Sequence, residues 1–411
     1  MYKDTLKVSL MGFSNGSEPY SFLEPRLKGF QEKEEINIEF EFFSWSRAYQ
    51  SIINSFKTGN SPDIVQLGTT WVSTLAKLAY IKPLAEDIVF KPALANSVND
   101  SCLFQGEQHA VPWTLDTIIM VVRKENLKRL NISTEDLRDW NGFYQVIKDI
   151  AKKRKNDKTI PKPMVFSVKP DMDTVHRFSS WFFAANNRYP SVNRDTDSFL
   201  YNKEIIALID YFSKLIEVSG LSINDVDIHP YQLNDDFYSR DTFVFNITIS
   251  NGVMENIKNG KDYAILPLPS PNNHLGTYSG GSVLAVSSRT RFPEKANKLI
   301  KYLTSESFIT AFQDYSSAIP AFDSSFWQKR YHNKEISSLY NLTVNSSTYP
   351  SHPIWGSIEN ILSESLSQIF WELFNFDDEK QRYGKEKIIE MLKDTDKRIK
   401  RLLKFAGYKK F

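Results

Sequence analysis

Cysteine is nearly absent from this chain of 411 residues: Cys102 is the only one, which excludes an internal disulfide and a cysteine-based zinc site. The six histidines are scattered and never fall at HExxH or other metal-ligand spacing. No GxxxxGK(S/T) phosphate loop occurs either, so metal-dependent hydrolysis of the HExxH type and P-loop phosphate chemistry lack their sequence basis. Excess charge is missing too. Fifty-one Lys and Arg stand against 49 Asp and Glu, and a net +2 gives no single-sign field to gather nucleic-acid phosphates. No run approaches the roughly 18 apolar residues that a membrane helix needs. The opening, MYKDTLKVSLMGF, has no unbroken apolar core of a signal peptide, because Leu6, Val8 and Leu10 alternate as in a strand. An exported protein would therefore have its export signal removed or left out ahead of Met1. Internal repeats and low-complexity segments are also lacking.

What is present describes a folded protein of two domains, since 411 residues exceed what one hydrophobic core organises. The 41% hydrophobic and 24% charged residues are ordinary, whereas 14% aromatic is rich and asks for a use. Two basic runs, Lys152 to Lys155 (KKRK) and Lys397 to Lys404 (KRIKRLLK), read as solvated helix faces.

The first hundred residues alternate in period. Leu6, Val8 and Leu10 predict a strand, Tyr20, Leu23, Leu27 and Phe30 a helix after Pro19, and Ile36, Ile38, Phe40 and Phe42 a second strand. Tyr49, Ile52, Ile53 and Phe56 share a helix face that Gly59 can end, and Ile64, Val65 and Leu67 form a short buried strand. Val72, Leu75, Ala76 and Ala79 return to helical spacing. This βαβαβα order implies a parallel sheet with helices on both faces. The loops Phe13 to Glu18, Ser44 to Arg47 and Gly68 to Trp71 then lie at the carboxyl ends of strands, where open α/β sheets hold ligands. A tryptophan in that place, Trp71, is a candidate for more than core.

Beyond Gln105 a tight turn at Gly-Glu-Gln-His leads into an extended passage, Trp113-Thr-Leu-Asp and then Ile118 to Val122, which suits a crossover between domains. From Trp140 to Gly260 the α/β habit repeats, with apolar runs at Met164 to Val168 and Phe243 to Ile247. Strands follow at Tyr263 to Pro271 and Ser279 to Ser287, and the C-terminal part is helical.

Four segments in this order resemble the extracellular solute-binding proteins of bacterial ABC importers, in the carbohydrate-binding, maltose-binding-protein-like group. They are TGNSPDIVQLGTTWVSTLAKLAYIKPL, GEQHAVPWTLDTIIMVVRKENL, SGGSVLAVSSRTRFPEKANKLIKYLTS and HPIWGSIENILSESLSQIF. Between Leu130 and Ile247 the match is poorest: where that family usually has Trp-x-Glu at a helix start, this chain reads Trp140-Asn-Gly. The resemblance implies an α/β fold of two α/β domains with central sheets joined by a crossing-strand hinge, the type II periplasmic-binding-protein-like architecture. It places residues 1–113 with 278–330 in one domain and 114–277 with 331–411 in the other, with a ligand cleft between. It further implies a carbohydrate ligand, ABC importer permease subunits as partners, no nucleic acid, a monomer, and a periplasmic or cell-surface location. No cofactor, no metal and no catalysis are expected.

A pyranose has an apolar C–H face and a rim of hydroxyls, so its sites combine flat rings with planar polar groups. Trp45, Trp71, Trp113, Tyr278 and Trp355 are the stacking candidates, each equally readable as core. Asn15, Glu18, Thr69, Asp116 and Asn246 are candidate hydroxyl partners, with cap or turn roles as the alternative. Gly280 and Gly281 would admit a ligand close to the backbone, or would mark a bend at a strand start. Asp63 precedes its strand and lies at the wrong end of the sheet. Two other functions stay open at this point: a ligand-sensing domain that signals to a partner, and a sugar hydrolase, which needs only two carboxylates about 5 to 10 Å apart.

Overall fold

Leu6, Val8 and Leu10 are buried in β1 (Thr5–Met11), the first strand of a computed structural model that describes residues 2–12, 18–85, 93–190, 198–321, 334–375 and 381–407. Pro19 opens α1 (Pro19–Glu34) at the position where a missing N–H is harmless, and the Glu18 carboxylate accepts the Ser21 N–H at 2.9 Å. β2 (Asn37–Phe43) then runs parallel to β1. α2 (Trp45–Thr58) buries Ala48, Ile52, Ile53 and Phe56 on one face and ends at Gly59, whose φ of 82° is the left-handed value a glycine adopts freely. β3 (Ile64–Gly68) lies parallel to β1 on its other side, which gives the order β2-β1-β3. A 3-10 turn, Thr69–Trp71, joins β3 to α3 (Val72–Lys77).

After α4 (Asn96–Ser101), the two-residue strands β4 (Leu103–Phe104) and β5 (Glu107–Gln108) form a hairpin. Its turn residues are Gln105 and Gly106, with φ of 53° and 84°, the pair of positive values that a tight hairpin selects. The turn is thus centred two residues earlier than the sequence reading, because Glu107 and Gln108 pair back onto β4. β6 (Val111–Arg123) follows, buried over nearly its whole length. The chain forms two compact units, one of Met1–Asp116, Ser279–Tyr331 and Ser351–Trp355, the other of Thr117–Tyr278, His332–Pro350 and Gly356–Phe411. β6 is continuous from the first into the second.

In the second unit α5 (Lys124–Leu130) and a 3-10 turn, Glu135–Leu137, precede α6 (Trp140–Asn156). Asp139 caps α6 by accepting the N–H groups of Asn141 and Gly142. A Cβ at Gly142 would stand 2.3 Å from the Asp136 carbonyl, so glycine permits the helix to press on that turn. β7 (Lys162–Val165), α7 (Met172–Ala184), α8 (Lys203–Ser219), α9 (Ile223–Val226) and α10 (Pro230–Arg240) lead to β8 (Phe243–Ile249), α11 (Ser250–Lys258) and β9 (Tyr263–Leu266). β7 is parallel to β8, while β8 and β9 flank β6 antiparallel to it.

Back in the first unit, β10 (Ser279–Val286) inserts between β3 and β6, antiparallel to β3, with Val283 opposite Leu67. α12 (Pro293–Leu303), α13 (Glu306–Ser316) and β11 (Ile319–Pro320), which pairs with Leu115 and Thr114 of β6, complete its described elements. The remaining described helices are α14 (Lys334–Val344), α15 (Trp355–Phe374) and α16 (Gln381–Phe405).

Candidate functional site

The carboxyl end of β3 gathers three half-buried rings in the first unit. Trp71 closes the 3-10 turn, Trp45 begins α2, and Tyr49 lies one helical turn further on. Ring centroids are 5.8 Å apart for Trp45 and Trp71 and 5.3 Å for Tyr49 and Trp71, both pairs tilted by 57°. Their inner edges pack on a core that includes Ile52, Phe56, Leu67, Val72 and Leu75. A Cβ at Gly68 would come within 3.3 Å of the Trp71 ring, so the glycine lets the indole lie against the strand end. The Gly-Thr-Thr-Trp turn after β3 thus sets the indole against the start of α2. Tyr49, which the sequence reading placed on the apolar face of its helix, joins the pair. Its four-residue spacing from Trp45 was the available signal.

Other predicted site residues of the first unit take different roles. Trp113 is 2% exposed, stacked on Phe312 at 4.7 Å, with its indole N–H donated to the Leu303 carbonyl at 3.1 Å. One face and the polar edge are used, which makes it a core residue and corrects the stacking-face reading. Trp355 is fully buried at the start of α15. Glu18 is an exposed helix cap, its carboxylate turned to Ser21, and Thr69 is buried within its turn. Asp116 is half-buried, and its carbonyl accepts the Ser279 hydroxyl at 3.3 Å. Gly280 is buried in β10. Gly281 has φ of 140°, and a Cβ there would stand 2.1 Å from the Thr114 carbonyl, so close strand approach explains it. Asn15 lies outside the described residues. Asp63, set aside as misplaced, accepts the Lys7 N–H at the amino end of the sheet.

In the second unit Asn246 is completely buried in β8, its amide donating to Asn234 Oδ1 at 2.9 Å. Thr248 Oγ1 donates to the same oxygen at 3.0 Å. The strand is covered on both faces, so Asn246 is an interior polar link and not an open hydroxyl partner. Tyr278 is 5% exposed and lies flat on His176, 4.4 Å away at 7°, and 4.9 Å from Tyr349. The Tyr349 hydroxyl meets His176 Nδ1 at 2.7 Å, and Ser179 Oγ meets the Tyr189 hydroxyl at 2.9 Å. Desolvation pulls the His176 pKa down to about 4, and burial pushes those of Tyr189 and Tyr349 up, so the cluster is neutral near pH 7. Sequence reading missed His176 and Tyr349, which are 173 residues apart and share no local signal. Two cavities of about 670 and 790 Å³ in this unit contain no predicted site residue. Among the described residues no group of three or more His, Cys, Asp or Glu is placed to hold a metal ion, and burial raises the Cys102 thiol far out of the reactive range.

A family model for bacterial extracellular solute-binding proteins matches residues 26–336. The chain belongs to that family. Among relatives of this solute-binding protein, the diacetylchitobiose binding protein DasA of Streptomyces coelicolor is 23% identical over 368 residues, covering 87% of this chain and 82% of DasA. The GacH receptor of Streptomyces glaucescens, solved unliganded and with acarbose, superposes with a TM-score of 0.78 at 13% identity, over 98% of this chain and 99% of GacH. A solute-binding protein of Thermotoga lettingae bound with alpha-D-tagatose gives 0.76 at 16% identity, over 95% and 100%. These likenesses establish the fold as the type II periplasmic-binding-protein architecture, and the expected α/β class is borne out. Family membership places the solute-binding protein outside the cytoplasm, and among the described residues no helix is long and apolar enough to cross a membrane.

Proposed function

We propose that this solute-binding protein captures a carbohydrate outside the cytoplasm and hands it to the permease subunits of an ABC importer. The observation that carries the reading is the Trp45–Tyr49–Trp71 cluster, three half-buried rings at the strand end where this architecture holds ligands. Rings tilted by 57° offer two differently oriented faces to the C–H surfaces of a sugar. The named or bound ligands of DasA, GacH and the Thermotoga lettingae protein are all carbohydrates or carbohydrate analogues, which supports the same class here. We assign Asp116 to a hydroxyl contact in this site. The protein acts as a monomer and turns nothing over.

Thermal denaturation against a panel of mono-, di- and oligosaccharides, including chitobiose- and maltose-type sugars, tests this reading. Binding to the folded state raises stability by RT ln(1 + [L]/Kd), about 2.7 kcal/mol at a hundredfold excess over Kd. At least one sugar is expected to raise the melting temperature, with no product released from it on prolonged incubation. A flat response across the panel, or product that disappears on mutation of a carboxylate, would overturn the proposal.

A further inference from the structure

The last three turns of α16 carry a stripe of cations that sugar capture does not use. Lys397, Lys400, Arg401 and Lys404 recur at three- and four-residue steps, which sets them along one side of the helix, and all four are exposed. Ile399 and Leu403 hold the opposite side in the core. Neighbouring cations are committed: Arg398 to Glu364 at 2.6 Å, Lys385 to Asp210 at 2.9 Å, and Lys393 over the Tyr201 ring at 4.9 Å. Among the described residues the four cations of the stripe have no such carboxylate. Lys400 feels the field of Asp396, but that carboxylate is buried and accepts the Leu200 N–H at 2.8 Å. Exposed Glu390 and Asp394 lie on the N-terminal side of the stripe and leave its last turns purely basic.

A second feature makes the stripe more than a solvated face. Phe405, directly after Lys404, is 94% exposed. A row of cations ending in a bare aromatic ring matches an interface whose surface is anionic and whose interior is apolar. Phosphates meet the charges and the ring enters the boundary between headgroups and acyl chains. A soluble polyanion would satisfy the cations and leave Phe405 in water. The family's extracytoplasmic location also sets the protein apart from cytoplasmic nucleic acid. We propose that this end of α16 docks the protein on an anionic phospholipid surface. Since the whole chain carries only +2, the attraction is local to the stripe.

Sedimentation of the full chain with vesicles tests this independently of any sugar. The protein is expected to pellet with mixed phosphatidylglycerol and phosphatidylcholine vesicles at low salt, and to stay in solution with phosphatidylcholine alone or at high salt. Lys397→Gln, Arg401→Gln and Lys404→Gln should each weaken the association about fivefold, and Phe405→Ser should weaken it without changing its salt dependence. All four side chains are exposed, so an unchanged melting temperature verifies folding. Absence of pelleting at low salt, or pelleting that survives the triple charge removal, would overturn the proposal. So would equally tight binding to a soluble oligonucleotide that Phe405→Ser leaves intact, which would make the stripe a general polyanion site.

Discussion

Gly281 shows how one residue can carry a backbone requirement that nothing else can meet. Its φ of 140° lies where L side chains rarely go, and the position of a Cβ, 2.1 Å from the Thr114 carbonyl, is filled by backbone that has no room to yield. Gly281→Ala is expected to destabilise the protein by about 3 kcal/mol or more, read as a lower urea midpoint, whereas Gly59→Ala, at a glycine with open space around it, should lose about 1 kcal/mol. Equal effects would mean that β10 and β6 are further apart than described. Two tryptophans make the parallel case for side chains. Trp113→Ala should lower stability by about 3 to 5 kcal/mol, since it empties a packed site on Phe312. Trp71→Ala should instead weaken sugar binding, by about 0.5 to 1.5 kcal/mol or up to roughly tenfold in Kd, with a smaller loss of stability. A sharp fall in melting temperature for Trp71→Ala with affinity intact would remove it from the site. Both residues read alike in the sequence, as aromatics beside a strand. What separates them is the cover supplied by Leu303 and Phe312, about 190 positions away from Trp113, and no local pattern reports that.

At the scale of elements, local periodicity made β1 to α3 legible, because each element buries its own apolar residues at its own spacing. The antiparallel insertion of β10 beside β3 was not legible, since it joins Ser282 to Gly68 across the Thr117–Tyr278 stretch of the second unit. The same holds for α7, whose His176 meets Tyr278 and Tyr349 from two later segments. That stack has a consequence in acid. Desolvation lowers the His176 pKa from 6.5 to about 4; Asp173 opposes the shift, Arg177 adds to it, and Tyr349, pushed up by burial, stays neutral. His352 is lowered to about 4 in the same way, with Lys77 adding to the shift. Between these values the unfolded chain binds more protons than the folded one, so stability rises with pH. It is complete above about 6.5 and lost as the pH falls toward 4. The urea midpoint should therefore drop between pH 7 and pH 5, before most carboxylates titrate. His176→Phe, which keeps a ring against Tyr278, should flatten that slope, and His352→Phe should flatten it further. An unchanged slope in the double variant would show that neither imidazole is held neutral.

For the whole molecule, the four sequence segments sufficed to name the family, and the fold followed. They did not suffice for the site, because the aromatics that remain half-exposed are distinguished from the buried ones only by tertiary packing. The proposed function nonetheless makes one demand on the molecule as a whole. If ligand groups come from both units, a bound sugar has more contacts in whichever state brings all of them to it, and binding must raise the population of that state. A ligand achieves this only through its difference in affinity between states. At micromolar Kd the net binding energy is about 8 kcal/mol, and driving an equilibrium from mostly one state to mostly the other takes about 5.5 kcal/mol, so a sugar of ordinary affinity is sufficient. Small-angle scattering with and without a sugar found in the thermal screen should then show a smaller radius of gyration at saturation. Trp71→Ala should require more sugar to reach the same decrease, because it weakens the contacts and leaves the states themselves in place. A sugar that binds with no change in radius would confine the site to one unit, and the rings at the end of β3 would have to hold it alone.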